Sequence, residues 1–258
     1  MSSFHIPVRL YMTSPVATVG PAHPLQEAHR RMVESRVSSL AVVEDGAPVG
    51  VISRTDLLRA GHRGTGSTPE AASLILPDRP VSDEMTAEVV TVGPDAHLSE
   101  AAAAMVGARV HRVYVVDGGA IAGVVSTRDL MRALEEKRTG QKVEEFMVSP
   151  VFTIRDEEPV GEAVDRLDRA HISGIIVVED GWPVGVFGMA EALDAQHLPR
   201  STPVGDAMNP RILVLPSTTS LHRAAAQAHA LGVRRVVIQD GTEVKGILSG
   251  LDFARAVA

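Results

Sequence analysis

The sequence predicts a mixed α/β (α+β) protein of four β-α-β-β-α units arranged as two pseudo-twofold pairs. Three observations carry this expectation. A seven-residue phrase occurs twice, GVISRTD at 50–56 and GVVSTRD at 123–129, with weaker echoes in GVFGMAE (185–191) and GILSGLD (246–252). Aligning the chain on Met12, Met85, Met147 and Met208 brings further columns into register without a gap. A valine lies four residues earlier (Val8, Val81, Val143, Val204), an alanine sixteen later (Ala28, Ala101, Ala163, Ala224) and a glycine thirty-eight later (Gly50, Gly123, Gly185, Gly246). Between these columns, strand-like and helix-like apolar spacing alternate in the same order each time. Self-similarity at fixed offsets marks one structural unit used repeatedly.

The elements of each unit follow in turn. After the methionine comes a short β-branched run, VATV (16–19), VVTV (89–92), VFTI (151–154) or ILVL (212–215), which reads as a buried strand. A helix follows, with Leu25, Ala28 and Met32 on one stripe, then Leu98, Ala101 and Met105, then Val160, Ala163 and Leu167, then Leu221, Ala224 and Ala228. A second apolar run (SLAVV, RVYVV, GIIVV, RVVI) leads into a Gly/Asp turn short enough for a hairpin. A third strand carries the repeated glycine, where a missing side chain allows close approach of another backbone or a ligand. A last helix starts at the acidic end of the phrase. Such a unit is too small to bury a good core alone. Sequential neighbours pack together by default, so unit one is expected to pair with two and three with four. The expected extents are 1–60, 61–142 (with a linker at its start), 143–200 and 201–258. Leu74, Ile75 and Leu76 in the first linker are expected to pack.

Composition narrows the function classes. Of 258 residues, 45% are hydrophobic and 22% charged, ordinary for a globular protein. No apolar run is long enough to span a membrane, and the start, MSSFHIPVRL, has no secretory pattern. With no cysteine, disulfides and thiolate metal sites are excluded, and a cytoplasmic location is expected. The net charge of −7 and only 3% aromatics argue against nucleic-acid binding. The histidines form no metal-binding spacing, and no Walker loop or nucleophile elbow occurs. No catalytic or metal residue is nominated.

The V-x-x-x-M openings, the VHRV stretch (110–113) and the Gly-apolar-apolar-Ser-x-x-Asp phrases together resemble CBS domains, from about Val8 to Ala256 as four copies (two Bateman modules). The resemblance implies adenosyl ligands, namely AMP, ADP, ATP or S-adenosylmethionine, held in clefts between paired units for regulation. It leaves the four units no catalytic domain, so a non-enzymatic sensor acting on an unidentified effector protein is expected. Self-association through exposed helix faces is a further expectation. By the same resemblance, adenine would sit at the stretches after each methionine, Thr13 to Ala17 and Thr86 to Val90.

The phrase itself permits two uses. Ser53 with Asp56, Ser126 with Asp129 and Ser249 with Asp252 can be capping boxes, with Gly188 and Glu191 a tolerated variant. Alternatively, the carboxylate accepts from both ribose hydroxyls while the helix start, with Thr55 or Thr127 nearby, receives phosphate. Capping does not explain the basic pairs His111–Arg112 and Arg234–Arg235, which stand in the even units where the odd ones have Ser38–Ser39 and Ser173–Gly174. An even unit could therefore supply charge to a phosphate whose ribose its partner holds. The best-equipped site would join Ser53, Thr55 and Asp56 to His111 and Arg112. The Asp129 and Asp252 sites rank next and Glu191 last. The rival expectations are an interaction module whose Ser/Asp pairs only cap helices, and an enzyme site between modules. Trp182 is expected to cover apolar surface.

Overall fold

The computed structural model of the chain describes residues 4–64, 76–170, 172, 174–195 and 198–258. The first repeat comprises β1 (Thr18–Val19), α1 (Leu25–Glu34), β2 (Ser39–Glu44), β3 (Ala47–Ser53) and α2 (Arg54–Gly64). The second comprises β4 (Thr91–Val92), α3 (Leu98–Ala108), β5 (Arg112–Asp117), β6 (Ala120–Ser126) and α4 (Thr127–Lys137). The third comprises β7 (Thr153–Arg155), α5 (Val160–Arg169), β8 (Gly174–Glu179), β9 (Trp182–Gly188) and α6 (Met189–Asp194). The fourth comprises β10 (Leu213–Leu215), α7 (Leu221–Leu231), β11 (Arg235–Asp240), β12 (Glu243–Ser249) and α8 (Gly250–Val257). The four β-α-β-β-α units are thus those expected from sequence.

In every repeat the first strand pairs parallel with the second, and the second antiparallel with the third. The hairpins turn on two residues. Asp45–Gly46, Gly118–Gly119 and Asp180–Gly181 all have positive φ, the geometry whose twist suits tight hairpins. The first strands are two or three residues long, shorter than the apolar runs. Three residues before each run, the chain pairs with the opposite repeat.

That exchange explains the conserved columns of the repeat. Each opening valine sits in a short 3-10 turn and is fully buried. Val81, from repeat two, belongs to the repeat-one core with Leu25, Met32, Leu40 and Leu57. Val204, from repeat four, belongs to the repeat-three core with Ile154, Leu167 and Phe187. The insertion is reciprocal: Val8 N–H donates to Ala96 O and Val81 N–H to His23 O, while Val143 N–H donates to Thr219 O and Val204 N–H to Glu158 O. Burying one valine side chain contributes roughly 1.5–3 kcal/mol.

Each methionine then lies on the glycine of the opposite repeat. A Cβ built on Gly50 would stand 2.6 Å from the Met85 sulfur and 3.0 Å from the Thr86 carbonyl oxygen. One built on Gly246 would stand 2.6 Å from the Met147 sulfur. Gly123 meets Met12, and Gly185 meets Met208, in the same way. The next residue completes the seam by exchanging backbone hydrogen bonds across it: Thr13 with Val124, Thr86 with Val51, Val148 with Ile247, and Asn209 with Val186. The close approach anticipated at the glycine is made by the opposite repeat's methionine and backbone.

The chain divides into two compact units. One holds Ile6–Ala108 and Arg112–Ser126, hence repeat one and the sheet of repeat two. The other holds Arg109–His111 and Thr127–Ala258. In the latter, α4 packs along α7 and α8 of repeat four, with Leu130, Met131, Ala133 and Leu134 buried. Leu76 packs against the repeat-one core as expected, whereas Leu74 and Ile75 lie outside the described residues. Trp182 is 55% exposed, contrary to the expected covering role, at the first position of β9 beside the Asp180–Gly181 turn. Among the described residues, no helix is long and apolar enough to cross a membrane, and no cluster of His, Asp or Glu suits a metal ion.

Two predictions follow from the packing. Gln239 is buried with neither amide atom hydrogen-bonded, at a column where the other repeats have Val43, Val116 and Val178. Gln239→Val is expected to raise the unfolding free energy by about 1–3 kcal/mol, the cost of an unsatisfied buried polar group, as measured by urea denaturation. Gly50→Ala drives a methyl into Met85 and the Thr86 carbonyl. It is expected to lower stability by about 1–3 kcal/mol, as overpacking does, with the shift read from the same titration.

Candidate functional site

The phrase places its acid in the first turn of the last helix, and two of the capping boxes are explicit. The Asp56 carboxylate Oδ2 accepts from Ser53 N–H at 2.8 Å and from the Ser53 hydroxyl at 2.6 Å. Asp252 Oδ2 accepts from Ser249 N–H at 2.6 Å and its hydroxyl at 2.8 Å. In repeat three, Gly188 N–H donates to Glu191 Oε2 at 3.0 Å. The caps use one carboxylate oxygen. The second oxygen faces an arginine one turn on. Arg59 is 4.0 Å from Asp56, Arg132 is 3.9 Å from Asp129, and Arg255 donates to Asp252 at 2.8 Å. Arg255 also donates to the Phe146 carbonyl. These arginines were not singled out from sequence, although one column of the repeat contains all three, with Asp194 in the third copy.

The arginines of the basic pairs cross between repeats. The Arg112 guanidinium donates to the Ser38 hydroxyl at 2.9 Å. The Ser38 carbonyl in turn accepts from Arg54 N–H, at the start of α2. Strand register carries the same connection, since Ser39 lies opposite Ser53. Arg112 thus reaches the end of the repeat-one sheet from which α2, with Thr55 and Asp56 in its first turn, starts. Asp56 remains 18% exposed there. Behind Arg112, burial raises the Tyr114 phenol above its ordinary pKa, and the neighbouring guanidinium offsets part of the rise. Thr86 is exposed and its backbone pairs with Val51, three residues before Arg54.

The other unit repeats the arrangement with different residues. Arg235 lies over Gly174, where an added Cβ would stand 3.2 Å from its guanidinium. Gly174 is opposite Gly188, which caps α6 and binds Glu191. Burial lowers the Arg235 pKa, the Glu191 carboxylate opposes that shift, and Arg234 adds to it. The Asn209 amide donates to Glu191 Oε1 at 3.4 Å, and its oxygen accepts from Arg211 N–H at 3.0 Å.

The remaining residues nominated from sequence are distributed as follows. Thr13 is exposed and bridges Val124. Ser126 ends β6 opposite Arg112, and Asp129 is in the first turn of α4. Thr127 is buried. Its N–H donates to the His111 carbonyl, and both side chains lie against Gly250 at the start of α8. The structure therefore places His111 with Thr127 and Gly250. Arg234 is exposed beside Arg235. Ser249 lies opposite Arg235 on the neighbouring strand.

Fold and site together define a protein of paired β-α-β-β-α repeats, each with an acid-bearing helix start facing its pseudo-twofold seam. The CBS domain family matches residues 8–63, 81–136, 143–198 and 204–258, and the chain belongs to that family. A CBS domain-containing protein of Bacillus subtilis, YhcV, is 33% identical over 121 residues, 46% of this chain and 79% of YhcV. The uncharacterized protein MJ1404 of Methanocaldococcus jannaschii is 26% identical over 275 residues, 98% of this chain. The chain spans only 62% of MJ1404's length. The solved structure of protein MJ1225 from the same archaeon matches with a TM-score of 0.77 at 18% identity, covering 98% of this chain and all of that one. That is a likeness of fold.

The cap makes its own prediction. Ser53→Ala removes both hydroxyl contacts to Asp56 and is expected to cost about 0.5–2 kcal/mol, measured by thermal or chemical unfolding.

Proposed function

We propose that the chain is a non-catalytic regulatory protein that binds an adenosyl nucleotide of the AMP, ADP or ATP class in clefts between paired repeats. S-adenosylmethionine is the alternative adenosyl ligand. The observation that carries this proposal is the convergence of Arg112, from repeat two, on the start of α2, where Asp56 sits. The carboxylate suits ribose hydroxyls, since charge-assisted acceptors form the stronger hydrogen bonds. The guanidinium and the N–H groups of α2 suit phosphate. Membership of the CBS family supports the same assignment. Ser126, Asp129, Ser249 and Asp252 mark further clefts, with Thr13, Thr86 and the residues after them as the base slots. Binding would favour one arrangement of the paired repeats through its differential affinity, and so change the surface offered to an effector protein or a second copy of the chain. A cytoplasmic setting fits this role.

The closed capping boxes at Asp56 and Asp252 favour a second reading, in which these acids only terminate helices and the protein is an interaction module. Thermal shifts with AMP, ADP, ATP, S-adenosylmethionine and NAD separate the two, because a ligand that binds the folded state raises the midpoint by mass action. Asp56→Ala is expected to weaken AMP binding by about 1.5–3 kcal/mol, the range for hydrogen bonds to a charged group, in isothermal titration. Unchanged affinity and stoichiometry would remove Asp56 from the site.

A further inference from the structure

The four clefts are not equivalent, and the third repeat departs most from the others. At the column of Ser53, Ser126 and Ser249 it has Gly188. At the column of Asp56, Asp129 and Asp252 it has the longer Glu191. At the column of Arg59, Arg132 and Arg255 it has Asp194. Across the seam, Asn209 replaces the Thr13, Thr86 and Val148 of the other copies. These changes concern one acid and what holds it. Glu191 Oε2 is fixed by Gly188 N–H, and Oε1 receives the Asn209 amide. Asn209 is itself held by Arg211 N–H at its other end, so its amide is oriented before any ligand arrives.

We infer that Glu191, positioned by Asn209, is a built-in counter-charge for Arg235 that closes the third-repeat cleft to phosphate-bearing ligands. The inference rests on the nucleotide reading above for the identity of the ligand. Arg112 and Arg235 occupy the same column and cross the seam to adjacent columns, Arg112 to Ser38 and Arg235 to Gly174, the counterpart of Ser39. They differ in what faces them. In the first cleft the acid is a short aspartate whose capped oxygen is drawn to Ser53. In the third, the acid is one methylene longer, its far oxygen receives the Asn209 amide, and Gly188, which holds its near oxygen, lies opposite the Gly174 that the half-buried Arg235 covers; its charge opposes the lowering that burial imposes on Arg235. A half-buried cation with a carboxylate beside it gains less from a phosphate than one without, whereas leaving either charge unmatched is costly. Glu191 thus decides which of two similar clefts can load, and the third-repeat cleft contributes structure rather than a phosphate site.

Titration calorimetry with AMP tests this on the full chain, using Glu191→Gln, Arg235→Ala, and the double variant. Glutamine keeps the size of the side chain and an oxygen for Gly188 N–H, and Asn209→Thr gives an independent route to the same release. The expected results are that Arg235→Ala leaves the AMP stoichiometry of the parent chain unchanged, and that Glu191→Gln adds one equivalent. That equivalent should vanish in the double variant, and Asn209→Thr should add it more weakly. A loss of stoichiometry in Arg235→Ala alone would overturn the inference, because the cleft would already be loading. So would equal stoichiometry in the parent and Glu191→Gln, with melting curves showing both folded. Silence of the parent chain, together with an Arg235-dependent site in Glu191→Gln, would reject nucleotide binding at Asp56 while leaving the counter-charge standing.

Discussion

The opening segment of each repeat completes the core of the opposite repeat. Its valine is buried there, its methionine fills the space over a glycine, and the following residue exchanges two backbone hydrogen bonds across the seam. Within each pair this happens twice, once in each direction. A three-stranded sheet with two helices exposes too much apolar surface to stand alone, and the exchange removes that surface while fixing register. The glycine is required because the methionine sulfur and a backbone carbonyl already occupy the volume a Cβ would need. The valine, methionine and glycine columns are therefore three parts of one contact.

The seam also determines what can happen at the helix starts. The third strand leaves the glycine, crosses the partner's bridge and ends at the serine that caps the last helix. The acid is consequently held within a turn of the other repeat's backbone. An arginine on the even strand needs only its own length to reach the same end of the sheet. Capping and ligand binding compete less than the sequence alone suggests. Asp56 and Asp252 each give one oxygen to the cap and keep a second oxygen directed elsewhere. A carboxylate has lone pairs for both tasks.

Much of this was legible in the residues. The four units, their strand and helix order, the hairpins and the need to pair all follow from period and spacing, because each repeat states the same pattern and errors in one copy are corrected by the others. That Arg112 crosses to Ser38, beside the start of α2, follows from the alternation of basic and small residues at one column. What was not legible depends on partners far away in sequence. The docking of α4 on α7 and α8 is not visible in the apolar stripe of α4, which would suit packing on its own sheet equally well. His111 stands in a bend just before β5, and its ring lies beside Thr127 against Gly250, a neighbourhood its place next to Arg112 does not reveal. The arginines one turn after each acid and the Asn209 amide were readable by column, but their importance appears only once the carboxylate oxygens are counted.

The most direct measurement is a crystal structure of the chain grown with AMP. The account predicts ribose hydroxyls on the Asp56 carboxylate, phosphate against the Arg112 guanidinium and the first turn of α2, and the Met12–Gly123 and Met85–Gly50 seats undisturbed on either side. A nucleotide bound with its phosphate turned away from Arg112, or lodged away from the seam altogether, would contradict it.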